Sequence, residues 1–222
     1  MSDPNRLAQS YYNRWAGLYD RVATAPGVDS WRERVADSLR LSPGDTVVEM
    51  GCGTGANFPA LRERVGASGR VVGLDLVPGM LGAAQQRIER NGWANVHLVR
   101  ADAAQPPVDG ADAVVSTFLI GMLPDPGTAV REWSQRVAPG GRVALLNAGR
   151  SERLAGRPLN LGLRLFVRAG APGARLSRES PVEELEARWT KASEALLEAT
   201  VDHEQDRLGF GFVRLVSGQV PE

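Results

Sequence analysis

The chemistry is concentrated in twelve residues, Thr46 to Asn57: Thr-Val-Val-Glu-Met-Gly-Cys-Gly-Thr-Gly-Ala-Asn. Gly51, Gly53 and Gly55 can take positive φ and let a ligand approach closer than any side chain permits. Asn57 to Val65 reads as a helix whose first N–H groups lack intrahelical acceptors and point back into the turn. A turn of this kind suits a nucleotide. Gly51-Cys-Gly-Thr-Gly-Ala56 also satisfies the dinucleotide pattern G-x-G-x-x-G/A, so the glycines alone do not say which nucleotide.

Glu49 separates the candidates. A carboxylate two residues before the first glycine would repel a diphosphate but attract an ammonium or a sulfonium. S-adenosyl-L-methionine carries both. A second acid, Asp75, stands twenty-four residues beyond Gly51 at the end of the apolar run Arg70-Val-Val-Gly-Leu-Asp. A carboxylate there can accept two hydrogen bonds from ribose hydroxyls, or it can cap the helix that follows. Val96-His-Leu-Val-Arg-Ala-Asp102 is closed by a third acid. Tyr12, Trp15 and Tyr19 share one helical face, where tyrosine rings could cover a sulfonium by cation–π attraction or only pack the helix onto the core. His97 lies within a strand and has no evident partner. Cys52 is the one cysteine and reads as a turn filler.

These side chains require strands that alternate with helices. Val47–Met50, Arg70–Asp75, Val96–Asp102, Ala111–Thr117 and Arg142–Asn147 read as five strands. The intervening helices span Asn57–Val65, about Pro78–Arg90 and Asp125–Val137, and a helix to about Leu39 starts at Asp29 or Ser30. Right-handed crossovers make the five strands parallel and bring Gly51, Gly53, Gly55, Asp75, Asp102 and Thr117 to one crevice. Ser180-Pro-Val-Glu183 is a capping box before a helix to about Glu198. Ala199–Asp206 and Leu208–Val216 then alternate as an antiparallel pair. The expected fold is α/β: a doubly wound, Rossmann-like, seven-stranded, mostly parallel sheet with one antiparallel strand and helices on both faces.

The 222 residues balance 26 basic against 26 acidic side chains, so no global field draws the chain to nucleic acid or to anionic membranes. A lone cysteine excludes a disulfide framework. No leader pattern and no uncharged run of about 20 residues is present, which points to a soluble, cytoplasmic protein. One domain over 1–222 is expected, with lid helices in 1–40, a cofactor-binding core in 41–150 and a substrate-side insertion with closing strands in 151–222.

Val47-Val-Glu-Met-Gly-Cys-Gly-Thr-Gly-Ala resembles the first motif of class I S-adenosylmethionine-dependent methyltransferases. Val137-Ala-Pro-Gly-Gly-Arg-Val-Ala-Leu resembles their junction into the fifth strand. Tyr11-Tyr-Asn-Arg-Trp-Ala-Gly-Leu-Tyr-Asp20 is similar to the leading helix of methyltransferases of ubiquinone/menaquinone biosynthesis and of bacterial phosphatidylethanolamine N-methyltransferases. Leu208-Gly-Phe-Gly-Phe-Val-Arg-Leu resembles the closing strand of the quinone-biosynthesis members. The resemblance implies that Leu76 and Met80 pack the adenine, and that Asp102, with Ala103 beside it, receives the adenine amino group. It also implies that Phe118 to Pro124 wall the methionine side. The Asp/Asn-Pro-Pro-Tyr and Pro-Cys signatures of nucleic-acid methyltransferases are absent, and Ser116 stands where metal-dependent relatives place an acid, so no metal is expected.

Between Arg150 and Arg178 seven arginines face one glutamate, interleaved with leucines. Arg157, Arg164 and Arg168 fall on one helical stripe. Such a segment can close over an amphiphilic substrate, contact a membrane surface transiently, or simply cover the sheet. The expected activity is methyl transfer to a small-molecule or lipid-like acceptor. The alternatives are a NAD-dependent oxidoreductase and a non-catalytic cofactor-binding module. No acid/base pair stands out; Tyr19 and His203 are the candidates for a catalytic base.

Overall fold

The computed structural model describes residues 29–153, 160 and 181–222. Tyr12, Tyr19 and the Arg157/Arg164/Arg168 stripe lie outside the described residues, as does Ser180 of the capping box.

Seven strands form one sheet: β1 (Thr46–Met50), β2 (Arg70–Asp75), β3 (Val96–Arg100), β4 (Ala111–Thr117), β5 (Val137–Ala148), β6 (Val201–Leu208) and β7 (Val213–Gln219). Their spatial order is β3-β2-β1-β4-β5-β7-β6. β1 lies parallel between β2 and β4, and β5 continues the parallel set beside β4. β7 runs antiparallel to both of its neighbours. Val47, Val48 and Met50 are buried on the two faces of β1, as a run flanked by parallel neighbours must be.

Among the described residues, five helices divide between the faces: α1 (Asp29–Ser38), α2 (Phe58–Val65), α3 (Pro78–Asn91), α4 (Pro126–Arg136) and α5 (Pro181–Ala199). Val35 and Ala36 of α1, Phe58 and Leu61 of α2 and Ala84 and Ile88 of α3 pack with Val47, Val71 and Val115 on one side. Val130 and Trp133 of α4 and Trp189 and Leu196 of α5 pack with Val48, Val114 and Leu145 on the other. The order in which successive strands are added reverses between β1 and β4, so the crevice of this doubly wound sheet opens at their carboxyl ends.

Local chemistry sets the element ends. Gly92 stops α3 in the left-handed conformation, φ 62° and ψ 33°. Asp125 caps α4, its carboxylate accepting from the backbone N–H of Thr128 at 3.2 Å. No helix among the described residues is long and apolar enough to cross a membrane.

Three boundaries differ from the sequence reading. β3 ends at Arg100, two residues short of Asp102. β5 begins at Val137 instead of Arg142, because Val137 pairs with Ala111 and a register shift between Ala111 and Ala113 carries the ladder past Pro139 and the glycines. The stretch expected as a strand over 208–216 is broken: Gly209–Gly211 form a 3₁₀ turn in which Phe210 has φ 58°. β7 therefore starts at Val213.

Candidate functional site

Glu49 occupies β1 with 1% of its surface exposed. Its Oε1 accepts a hydrogen bond from Asn57 Nδ2 at 2.5 Å. Oε2 is buried with no partner. Burial pushes the carboxyl up to about 8; the Asn57 bond and the buried Arg32 of α1 oppose that shift, and Asp75 adds to it. Burial thus favours the neutral acid over the carboxylate in the ligand-free chain. Glu49 keeps its place beside the glycine turn, but burial opposes the standing carboxylate that the sequence argument assumed.

Asn57, expected among the cofactor-binding residues, lies at the start of α2. It stands at the N-cap of α2 with helical φ and ψ, and its side chain caps nothing. The amide instead donates to Glu49 and, at 2.9 Å, to Thr117 Oγ1 at the end of β4. One side chain thus ties together the ends of β1, β4 and α2. Arg32 escaped the sequence reading, although its place on the buried Arg32/Val35/Ala36 stripe of α1 was a legible signal.

The three glycines have positive φ, at 69°, 54° and 73°. Their surroundings differ. A Cβ on Gly51 would stand 2.8 Å from Leu119, and one on Gly55 would stand 2.3 Å from Phe58. A Cβ on Gly53 would meet nothing within 4 Å. Gly51 and Gly55 are held by packing, and Gly53 faces open space. Cys52 is buried and its thiol is raised well above the usual range by that burial, as fits a filler.

Asp75 closes the floor. Its Oδ2 accepts from Gly53 N at 2.9 Å and its Oδ1 from Val77 N at 2.8 Å. Each oxygen keeps a further lone pair, so the carboxylate can brace the turn, support the start of α3 and still accept from a ligand. Its pKa is raised, chiefly by burial. The site thus combines an open glycine, an ionisable buried acid with one unfilled oxygen, and a second acid at the neighbouring strand end. These groups fit a cationic nucleoside ligand.

Residues 47–141, from β1 into the start of β5, match the family described as "Methyltransferase domain". That stretch, 95 of the 222 residues, is similar to a methyltransferase domain. The chain is 33% identical over 144 residues to the 2-phytyl-1,4-naphtoquinone methyltransferase of Thermosynechococcus vestitus (strain NIES-2133 / IAM M-273 / BP-1), covering 63% of each chain. It is 31% identical over 139 residues to the nocamycin O-methyltransferase of Saccharothrix syringae, covering 60% of this chain and 48% of that one. The chain thus spans between about half and three fifths of the length of these relatives. In structure it is similar to Haemonchus contortus phosphoethanolamine N-methyltransferase 2 in complex with S-adenosyl-L-methionine, with a TM-score of 0.72 at 14% identity. That likeness covers 100% of this chain and 60% of the other and speaks for the fold.

The remaining expected site residues fall as follows. Leu76 is half-buried and Met80 is 4% exposed at the start of α3. Asp102 is exposed just past β3, and its Oδ1 accepts from Ala104 N at 2.9 Å. Ala103 is buried, with its carbonyl accepting from Trp133 Nε1 at 2.7 Å. The loop after β4 reaches the glycine turn through Leu119, and Phe118 at its head has φ 57°. His97 is exposed on β3. His203, expected near the substrate mouth, is at the opposite end. It lies between Val201, which pairs with Gln219, and Glu204, which pairs with Ser217; Gln219 in turn pairs with Arg142. That is the amino end of the parallel strands, so His203 is corrected from a candidate base to an edge-strand residue whose Nε2 lies 2.7 Å from the Thr200 carbonyl.

Proposed function

We propose that this chain binds S-adenosyl-L-methionine across the glycine turn and transfers its methyl group to a small-molecule acceptor. The observation that carries the reading is the pairing of Glu49, buried with Oε2 unfilled, with the open face of Gly53. When bound, this cofactor supplies an electrophilic methyl group on a sulfonium.

The chain's own residues then act as follows. Glu49 ionises and receives the ammonium, while Asn57 keeps the carboxylate in register with Thr117. Asp75 accepts from the ribose hydroxyls with the lone pairs that Gly53 and Val77 leave unused. Asp102 and Ala103 flank the adenine amino group, and Leu76 and Met80 its ring. Tyr12 and Tyr19 cover the sulfonium. Fixing the acceptor in line with the methyl group and excluding water accounts for the acceleration, because orientation alone is worth roughly 7 to 11 kcal/mol in favourable cases. A general base is optional, because a neutral amine or an acidic phenol needs only modest help.

The relatives named for a naphthoquinone and for nocamycin O-methylation favour an acceptor with an extended unsaturated or aromatic body. Titration calorimetry with S-adenosylmethionine and with NAD tests the cofactor. Binding of the first alone is expected, followed by S-adenosylhomocysteine formation on naphthol-type acceptors. NAD binding would overturn the reading, and binding without turnover on any acceptor would reduce it to a cofactor-binding module.

A further inference from the structure

Strand β6 sorts its side chains by alternation. Asp202, Glu204 and Asp206 pair with Arg34 of α1, Arg40 just beyond it and Arg142 of β5. Gln205 and Arg207 face the other way, toward α5. There Trp189, Ser193 and Leu197, spaced i, i+4 and i+8 on α5, form one wall of a groove of about 490 Å³. Val216, Arg214 and Arg153 also line it.

The charges of this groove are unbalanced. Arg207 and Arg153 have no ion-pair partner among the described residues. Asp206 borders the groove but directs its carboxylate to Arg34 at 3.0 Å. Arg214 pairs through one terminal nitrogen with Glu186 at 2.5 Å, while its Nε is buried without an acceptor. Asn147 is paired with Arg214 across the β5–β7 ladder, on the same face, and its Nδ2 is also buried without an acceptor. What the groove itself presents is Arg207, Arg153 and Arg214 beside the apolar wall of Trp189 and Leu197, a lining that suits an anion carried on an apolar body. Asn147 is at the carboxyl end of β5, so the groove opens at the same end of the sheet as the glycine turn, three strands or about 14 Å away.

We propose that this groove is an oxyanion subsite, taking a carboxylate or phosphate carried on an apolar body. Arg214 and Arg207 supply donors and charge, and Trp189 and Leu197 pack the body. Under the methyltransferase reading the ligand is the acid group of an extended acceptor, but the subsite itself does not depend on that reading.

The test is calorimetry on the full chain with three probes of one shape: 1-naphthoate, 1-naphthyl phosphate and neutral 1-naphthamide. At least one acid is expected to bind ten times or more tightly than the amide, and the stronger of the two identifies the head group. Arg207→Gln, on an exposed side chain, and Arg214→Gln should each remove most of that preference. Arg40→Gln, which makes the same charge change on the opposite face, should leave it intact. Equal binding of acids and amide, or an equal loss in Arg40→Gln, overturns the subsite. S-adenosylmethionine affinity, measured on the same samples, reports separately on the proposed activity: its absence defeats methyl transfer without touching the groove.

Discussion

Glu49 and Asn57 are eight residues apart in sequence and joined at 2.5 Å across the glycine turn, which leaves Glu49 Oε2 as the one unfilled oxygen of a fully buried carboxyl. Burial without full satisfaction destabilises the ionised form in the ligand-free chain and favours any cation that restores it. Stability and binding are thereby set against each other at one side chain.

Glu49→Gln should separate the two. The carboxyl titrates near 4.5 when unfolded and at about 8 in the folded chain, so the folded state holds the extra proton between those values. Stability contributed by this group is fully present below about pH 4.5 and is lost as pH rises toward 8. The glutamine variant lacks this slope. At pH 8.5 and without ligand it should melt several degrees above the parent, and near pH 5 the two should converge, as differential scanning calorimetry would record. Its affinity for S-adenosylmethionine should nevertheless fall roughly tenfold or more, the loss of one charge-assisted bond.

The same titration predicts pH-dependent binding. Below about pH 8 Glu49 must give up its proton to oppose a cation, so parent affinity for S-adenosylmethionine should rise from pH 6 to pH 8 and then level off. Calorimetry in buffers of different ionisation enthalpy should record proton release at pH 7 in the parent and less in Glu49→Gln. Equal release in both would place the proton elsewhere.

Asp75→Ala removes a ligand contact and a brace together. It should weaken S-adenosylmethionine at least tenfold, consistent with charge-assisted bonds of about 1.5 to 3 kcal/mol. It should also lower the urea midpoint, because Gly53 N and Val77 N lose their acceptor. Asp75→Asn keeps one acceptor oxygen and should recover part of the stability. Unchanged affinity in both variants would remove the ribose assignment.

The glycines should not behave alike. Gly55→Ala drives a methyl group into buried Phe58 at positive φ and should cost more than about 3 kcal/mol, read by urea denaturation. Gly53→Ala has room and should cost only the left-handed penalty of about 1 to 2 kcal/mol, yet it should impair cofactor binding disproportionately.

His203→Ala should leave turnover unchanged, since the ring sits at the amino end of the sheet against the Thr200 carbonyl. A large fall in kcat would return it to the reaction.

Much of this molecule is written locally. β2 and β4 begin and end where their apolar runs do, at Arg70–Asp75 and Ala111–Thr117, because a strand buried between parallel neighbours needs an unbroken apolar sequence. Alternation of such runs with capped helices determined the parallel core, and Gly51-Cys-Gly-Thr-Gly with Glu49 and Asp75 determined the kind of ligand. Other features depend on partners distant in sequence. The early start of β5 required Ala111 to accept Val137 beyond a bulge that reads locally as a Pro-Gly-Gly break. The turn at Phe210 interrupts a pattern that alternates well enough for a strand. Only the tertiary structure decided that burial raises the Glu49 carboxyl, that Asn57 bridges β1 and β4, and that Arg214 keeps an unfilled donor. Desolvation and hydrogen-bond satisfaction are set by whatever packs around a group, and those neighbours come from every part of the chain.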